Sequence, residues 1–509
     1  MKTSNSSAIP VPEITTIARG AGTIFIGMIL GAGLRFLFEF IVARNLGPDL
    51  FGLFFLGLSV LKLAEIISTL GLHRGVLRYV ALYQGVGDEP RIKGTILFSL
   101  RATLAVGFGL GILILTLSRF AATAVFHKAE LASILRLFAV AVPFTALTTI
   151  LVFATQGFKI MRYRVYVREL FEPASRILLV IGVAVIGWKL YGAVFSFVIS
   201  LVLGTVLALY FIKKIFPSLT DKGLKSIFES RDILNFSWPL LLADFFGLIV
   251  IWINILMIGY FKASDEVGIY SAAHRTALLG EVILISFNAI FSPIVADLYN
   301  RKEIEKLARL FKIVTKWIFS LSLPLCLLML FFASDILHLF GQKYIPGATC
   351  LVLLSIAQLV NSALGSSGFL IMMSGKSRLN LINNFIAALL NIGLNVLLIP
   401  PYGIVGAALS FLTSVSAVNI IMIIEVYALY RMHPFRADLY KPVLAGGVAY
   451  IIILLLTKFL FRAENSLLSI AIGSVIYLLS YASLMYALGI EDEDKIILEK
   501  FRAKLLASK

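Results

Sequence analysis

The chain has 509 residues, of which 60% are hydrophobic and only 14% are charged. Soluble domains are about 45–50% apolar and about 25% charged, so this composition excludes an ordinary soluble protein. The net charge of +17 has a simpler source than a nucleic-acid partner, because basic residues accumulate on the cytoplasmic side of membrane proteins. We therefore predict an all-α, polytopic membrane protein whose surroundings are the lipid bilayer, with no nucleic-acid partner.

Residues 1–13 are polar, contain two prolines and lack the layout of a signal peptide, so they are expected to form a cytoplasmic tail. Apolar stretches then follow one another, each long enough to cross a hydrocarbon core of about 30 Å. The fourteen predicted spans cover residues 17–43, 48–72, 94–117, 132–156, 173–190, 191–212, 235–261, 268–298, 313–340, 347–374, 379–399, 402–429, 442–461 and 466–489. The connections are short, which leaves no large external domain for a catalytic unit and predicts that the protein is not an enzyme.

The basic residues predict the orientation of the spans. Most of the 45 lysines and arginines lie in the two tails and in every second connection. By the positive-inside rule, those segments are cytoplasmic. The expected location is the cell (cytoplasmic) membrane, with both termini in the cytoplasm.

An internal repeat predicts how the spans are grouped. The segment Leu46–Ile67 aligns with the segment that begins 216 residues later, so that Gly52 matches Gly268 and Glu65 matches Glu281. Two halves of six spans, each with the same orientation, followed by two extra spans, explain this spacing. The predicted units are a tail (1–13), an N-terminal lobe (14–215), a cytoplasmic linker (216–233), a C-terminal lobe (234–430), two additional spans (431–490) and a cytoplasmic tail (491–509).

These features resemble a known family. The sequence ARNLGPDLFGLF after the first span, the Tyr-Gly-x-x-Gly-Ala start of span 12 at residues 402–407 and the layout of six, six and two spans are similar to polysaccharide (O-antigen-type) flippases. These belong to the multidrug/oligosaccharidyl-lipid/polysaccharide exporter superfamily. The resemblance implies two lobes with pseudo-twofold symmetry around a central cavity that opens alternately to either side. It also implies a cargo of oligosaccharide on polyprenyl pyrophosphate, moved from the inner to the outer leaflet, with polysaccharide polymerases or glycosyltransferases as candidate partners.

Charged residues inside the spans are the candidates for substrate binding. An ionised side chain at the bilayer centre costs about 2.5–3.5 kcal/mol, so such residues usually face a wet cavity or a partner. Spans 1, 2, 7 and 8 line the cavity in the resembled family, and they contain Arg35, Glu39, Lys62, Glu65, Asp244, Arg275 and Glu281. Arginine and lysine suit a pyrophosphate, whose charge would otherwise be stranded in a low dielectric. The alternative is that Arg35–Glu39 and Lys62–Glu65, at helical spacing, only neutralise each other.

Neutral side chains are the candidates for sugar contacts, because sugars need donors and acceptors without charge. Span 11 places several asparagines on one helix face, and span 7 adds another. The predicted sugar contacts are Asn254, Asn384, Asn391 and Asn395. The alternative is that these amides hold neighbouring helices together.

No cofactor and no metal site is predicted from the motifs. A cytosol-negative potential is worth about 2.3 kcal/mol per charge per 100 mV, which would move an anionic pyrophosphate outward. Antiport of H⁺ or Na⁺ through Glu65, Glu281 or Asp244 is a second candidate energy source. Two other functions stay open: a multidrug or metabolite cation antiporter of the same fold, and a membrane enzyme acting on polyprenyl-linked sugars.

Overall fold

The computed structural model describes residues 11–185, 187, 189–364, 366–460 and 466–489. The predicted tail 491–509 and most of the predicted tail 1–13 lie outside these residues. The described elements are helical, with no strand among them. The α-helices are α1 Val11–Thr69, α2 Leu72–Val86, α3 Glu89–Phe120, α4 Leu131–Gly157, α5 Glu172–Val185, α6 Lys189–Ile215, α7 Ser230–Phe261, α8 Ser264–Ala277, α9 Glu281–Asn300, α10 Ile304–Phe331, α11 Ala333–Phe340, α12 Ala348–Leu364, α13 Ser366–Met373, α14 Ser377–Tyr430, α15 Tyr440–Leu460 and α16 Ser466–Ala487.

The helices account for fourteen membrane crossings. Eleven described helical segments are long and apolar enough to span a bilayer. Two of them, α1 and α14, bend back at Gly47 (φ 73°) and Gly403 (φ 56°), so each crosses twice. A straight helix of the 59 residues of α1 would be about 90 Å long, three times the hydrocarbon core. The remaining crossing is the π-helix Val165–Phe171 continued by α5. The predicted fold class is confirmed.

The last two helices form an appendage on the second lobe. Helices α15 and α16 pack against each other and against α10 and α11. The Tyr481 hydroxyl donates a hydrogen bond of 2.8 Å to the Ser320 carbonyl oxygen, and Gly473 lies against the Phe332 ring. The predicted boundaries of the lobes and the linker stay predictions.

The apolar cores are arranged differently at the two ends of the molecule. At the end near Gly47, which the positive-inside rule places outside, one continuous core joins both lobes and includes Phe54 and Tyr270. At the opposite end there are two cores. One belongs mainly to the N-terminal lobe, with Val80 and Ile150, and the other to the C-terminal lobe. The lobes are therefore packed together most extensively at the outer end.

Two repeat-related glycines form a close backbone contact between the lobes. A Cβ atom added to Gly52 would overlap the Ser264 carbonyl oxygen, and one added to Gly268 would overlap the Pro48 carbonyl oxygen. Small residues allow membrane helices to approach backbone to backbone. The pair lies at the crossing of α1 and α8, so equivalent positions of the two halves meet each other.

The segment between the lobes is fixed to the first lobe. Lys93, only 6% exposed, donates to the carbonyl oxygens of Leu224, at 3.0 Å, and of Asp221. Glu229 forms an ion pair of 2.8 Å with Arg91. The linker is therefore held against the start of α3 as far as residue 229, and the chain leaves the N-terminal lobe where α7 begins.

Candidate functional site

A cationic cavity of about 300 Å³ lies within the N-terminal lobe. It is bounded by α1, α4, the π-helix 165–171 and α5. The basic residues in its wall outnumber the acidic ones by five to three: Arg35, Lys62, Arg164, Arg168 and Arg176 against Glu65, Glu169 and Glu172. We call it the N-lobe cavity.

Glu65 organises one wall of the N-lobe cavity. Lys62 Nζ lies 2.8 Å from Glu65 Oε2, and Arg168 Nη2 lies 3.2 Å from Glu65 Oε1. The Thr149 hydroxyl donates to Glu65 Oε1 at 2.9 Å. The contact between Lys62 and Glu65 at helical spacing is formed, and the carboxylate also connects α1 to α4 and to the π-helix. Glu65 thus holds Lys62 in place at the cavity wall.

Arg35 does not pair with Glu39, as the helical spacing suggested. Its guanidinium donates to Glu169, which comes from the π-helix. Glu39 faces the other lobe, where its Oε1 lies 3.7 Å from Arg275 Nε. These partners are 134 and 236 residues apart in sequence, so no local pattern contains them.

Arg275 lies between the two lobes and not in the N-lobe cavity. Its guanidinium carbon sits 5.0 Å from the ring centroid of Phe55 and 4.6 Å from that of Trp252. Such contacts contribute about 0.5–2 kcal/mol, more when water is excluded. Together with Glu39 they place a cation at the lobe interface, held by groups from both halves.

Asp244 makes a second ionic contact between the lobes. Its carboxylate accepts hydrogen bonds from Arg74 Nη2 at 2.6 Å and Nε at 3.0 Å, and it lies 3.2 Å from His73 Nε2. Both partners lie at the start of α2, at the end of the second span that is far from Gly47. Asp244 is therefore a bidentate contact between α7 and α2, away from the N-lobe cavity.

Five charged residues of the N-lobe cavity were missed by the sequence analysis as substrate-binding candidates: Arg164, Arg168, Glu169, Glu172 and Arg176. Arg176 Nη2 lies 3.0 Å from Glu172 Oε2, and its guanidinium carbon is 4.0 Å from the centroid of the Phe197 ring. The predicted fifth span began at residue 173, so the charged stretch before it was assigned to a connection. The available signal was the spacing of four residues from Arg164 through Arg168 and Glu172 to Arg176, which places these side chains on one helix face.

A second cavity, of about 360 Å³, lies within the C-terminal lobe. We call it the C-lobe cavity. Its polar lining residues are Gln358, Asn361, Asn380, Asn384, Asn419, His274 and Glu281. Among the described residues, Glu281 is a member of no ion pair. The repeat-related carboxylates Glu65 and Glu281 therefore have different surroundings.

Only one of the four predicted sugar contacts lines a cavity. Asn384 borders the C-lobe cavity, whereas Asn254, Asn391 and Asn395 are fully buried. Asn395 Nδ2 donates to Asn254 Oδ1 at 2.6 Å and to Asn391 Oδ1 at 3.0 Å. These three amides join α14 to α7, as the alternative expectation described, because an amide between apolar helices is satisfied most readily by another amide.

Comparison with known proteins assigns the family. The sequence model described as polysaccharide biosynthesis protein matches residues 17–299, which is more than half of the chain. The chain belongs to this family. The model of the MatE family also matches residues 239–397 of the chain.

Flippases and a multidrug transporter are among the relatives and structural neighbours. The chain is 25% identical to the probable low-salt glycan biosynthesis flippase Agl15 of Haloferax volcanii, over 80% of this chain and 82% of that protein. Its fold matches the lipid II flippase MurJ in an inward closed conformation with a TM-score of 0.72, at 14% identity, over 91% of this chain and 99% of the other. It also matches an inward-facing multidrug resistance MATE family transporter with a TM-score of 0.70, at 17% identity, over 79% of this chain and 96% of the other. At these identities the two structures show a shared fold.

Proposed function

We propose that the protein is a flippase that moves polyprenyl-pyrophosphate-linked oligosaccharide from the inner to the outer leaflet of the cell membrane by alternating access. The N-lobe cavity is the observation that carries this proposal. A relative named as a glycan biosynthesis flippase supports it, and so does a fold shared with a lipid II flippase. Both termini are proposed to be cytoplasmic, on the distribution of basic residues.

The charge of the N-lobe cavity suits an anionic head group. Five basic residues and three acidic ones leave an excess of positive charge in its wall. The side chains of Lys62 and Arg35 are 28% and 43% exposed, so their charged ends are accessible to a ligand. A pyrophosphate drawn into this space would receive charge-assisted hydrogen bonds, about twice as strong as neutral ones.

Transport fits the cavity better than catalysis. In the described part of the chain, each of the three carboxylates in the N-lobe cavity already pairs with an arginine or lysine. A general base is normally within hydrogen-bond reach of the proton that it abstracts. The three carboxylates are paired with guanidinium and ammonium groups instead, and in this arrangement they position those cations to bind a ligand.

The test is transbilayer movement in vesicles. The full-length protein is reconstituted with a polyprenyl-pyrophosphate oligosaccharide whose sugar carries a fluorophore, and an impermeant quencher reports movement. The wild type is expected to accelerate movement, and Lys62→Gln and Arg35→Gln are each expected to slow it at least tenfold. Arg119→Gln, an exposed arginine at the end of α3, is the matched control. Absence of movement with the wild type, or wild-type rates in both cavity variants, would contradict the proposal.

The driving force is proposed to be the membrane potential. Each charge on the pyrophosphate gains about 2.3 kcal/mol per 100 mV when it moves away from a cytosol-negative compartment. A potassium diffusion potential imposed on the same vesicles should therefore change the rate with its sign. A rate that responds only to a proton or sodium gradient would instead establish antiport.

A cation antiporter is the second candidate, and Glu281 is the observation that favours it. This carboxylate is without an ion-pair partner among the described residues, and it lies in the stretch that matches the MatE model. An antiporter would lower ethidium accumulation in cells and lose this effect in Glu281→Gln. A flippase that does not transport organic cations would leave ethidium accumulation unchanged.

A further inference from the structure

We propose that the C-lobe cavity is the glycan-binding subsite of the transporter. This proposal rests on the proposed function, and it assigns the two ends of one substrate to different lobes. The pyrophosphate is held in the N-lobe cavity, and sugars of the oligosaccharide are held by the amides of the C-lobe cavity.

The size and lining of the C-lobe cavity fit a neutral ligand. Its volume of about 360 Å³ lies within the range of about 300–1,000 Å³ that small-molecule pockets occupy. Among its described lining residues there is one carboxylate, Glu281, and no lysine or arginine. The described residues contain no group of three side chains that would hold a metal ion. A pyrophosphate would therefore lack a counter-charge here, and a divalent metal ion would lack ligands.

Two deeply buried side chains in the wall of the cavity carry polar atoms that have no hydrogen-bond partner in the described part of the chain. His274 is 1% exposed and Gln358 is 5% exposed. Within the described protein, both ring nitrogens of His274 and the side-chain oxygen of Gln358 make no hydrogen bond. A buried polar group left unsatisfied costs about 1–3 kcal/mol. A ligand that brings hydroxyl groups into the cavity would recover this free energy.

The amides around these side chains are held by neighbours but keep hydrogen-bonding capacity. Asn419 donates to Asn361 Oδ1 at 3.2 Å, which leaves the amide nitrogen of Asn361 for a ligand. Asn384 donates to the Ala243 carbonyl oxygen at 3.2 Å, which leaves its side-chain oxygen as an acceptor. Each sugar hydroxyl both donates and accepts, so paired amide donors and acceptors match neighbouring hydroxyls.

Two further groups complete a site typical of carbohydrate recognition. Glu281 presents a carboxylate that accepts hydrogen bonds from hydroxyls. Phe369 and Phe411 add aromatic surface to the same lining, against which the C–H face of a pyranose ring packs. The two cavities therefore differ in charge. The cationic N-lobe cavity suits the phosphates, and the amide-lined C-lobe cavity suits the sugars.

The test is binding of the free glycan to the full-length protein in detergent. The probe is the reducing oligosaccharide that mild acid releases from the lipid-linked pool of the host membranes, and its binding is measured by saturation-transfer NMR and calorimetry. Asn361→Ala and Asn380→Ala are each expected to weaken binding about fivefold, the loss of one hydrogen bond of about 1 kcal/mol. Asn45→Ala removes an exposed amide next to the bend of α1 at Gly47. This variant should leave binding unchanged.

Asn380→Ala keeps the test usable if the Asn361 variant fails to fold, because the Asn380 side chain is half-buried and makes no hydrogen bond within the described protein. No binding to the wild type, or equal binding by all variants, would overturn the glycan subsite. That failure is distinct from failure of the proposed function. If the protein flips the lipid-linked glycan in vesicles but does not bind the free oligosaccharide, only the proposed subsite is rejected. Binding without flipping would reject only the flippase.

Discussion

Glu65 takes part in two of the five ion pairs that the described residues form around the N-lobe cavity, one with Lys62 and one with Arg168. We expect Glu65→Gln to leave Lys62 and Arg168 without their shared carboxylate, which lies 2.8 and 3.2 Å away. Removing one partner of a buried ion pair costs about 3–5 kcal/mol. Because Glu65 is 14% exposed, we expect the lower end of that range and a clear fall in the thermal unfolding temperature. Fluorescence-detected size-exclusion after heating measures this fall.

Glu305→Gln is the matched control for that experiment, since Glu305 is an exposed carboxylate in the first turn of α10. Its unfolding temperature should equal that of the wild type. If Glu65→Gln is equally stable, the cations of the cavity do not depend on this carboxylate, and its role must be sought in the transport cycle.

Helical spacing allowed some residue contacts to be predicted but not others. The contact between Lys62 and Glu65 follows from a separation of three residues on one helix. Arg35 with Glu169 and Arg275 with Glu39 depend on which helices become neighbours in space. A single sequence contains the charges, but it does not say which carboxylate each arginine meets. The predicted sugar contacts are divided for the same reason, because one helix face of α14 is shared. Asn384 borders the C-lobe cavity, whereas Asn391 and Asn395 contact α7.

The crossing of α1 and α8 determines how closely the lobes approach at the outer end. Gly268→Val would place a branched side chain against the backbone at Pro48, where even a Cβ atom overlaps the carbonyl oxygen. We expect this variant to separate the outer ends of the lobes, to lower the unfolding temperature by several degrees and to reduce transport. Thermal unfolding and the vesicle assay measure both effects.

Gly109→Val is the control for the glycine variant, since a Cβ atom at Gly109 meets nothing within 4 Å. Its stability and transport should match the wild type. Unchanged behaviour of Gly268→Val would mean that α8 shifts to accept the larger side chain at no cost.

The linker between the lobes gives a prediction about local order. In Lys93→Met the carbonyl oxygens of Asp221 and Leu224 lose the ammonium group that now binds them. We expect the segment to detach from α3 and to become accessible to trypsin at Lys222 and Lys225, which limited proteolysis would detect. Lys214→Met changes an exposed lysine at the end of α6 and should leave the cleavage rate unchanged. Equal cleavage in both variants would show that the backbone contact of Ile227 with Pro90 is sufficient.

At the level of whole elements, most of the fold could be predicted from the sequence. Hydropathy and the alternation of basic residues gave the number of crossings, because each crossing needs about twenty apolar residues. The predicted start of the fifth crossing, at residue 173, lies several residues after the start seen in the structure. Its first turns are a π-helix that contains Arg168 and Glu169, and such charged turns are not distinguishable from a connection by composition alone. They are also the turns that supply a wall of the N-lobe cavity.

In the orientation that we propose from the basic residues, the whole molecule is closed more extensively at its outer end than at its inner end. One core joins the lobes outside, whereas the inner ends have separate cores. The contact of Asp244 with Arg74 and His73 then joins the lobes at the cytoplasmic end. Alternating access requires such contacts to break and re-form as the lobes rock.

We expect Asp244→Asn to loosen the cytoplasmic end, because a neutral amide cannot pair bidentately with the Arg74 guanidinium. Hydrogen–deuterium exchange should then become faster in α2 and in the first turns of α7. Asp232→Asn, which alters an exposed carboxylate in the first turn of α7, should have no effect. If the hydrogen–deuterium exchange rates of Asp244→Asn equal those of the wild type, the apolar contacts of Ile233 are sufficient to keep this end closed.

The meeting of Gly52 with Gly268 has a consequence for the origin of the molecule. In a complex of two identical subunits, a residue touches its own counterpart only where it lies on the twofold axis. These glycines occupy the same position in the two repeats. If a single six-helix half formed a side-by-side dimer in the membrane, the equivalent glycine of each copy would therefore lie at the twofold axis. This close contact between the lobes is thus one that an unfused homodimer could have formed before the gene was duplicated. Expressing the two halves as separate chains is then a reasonable route to reassembling the protein.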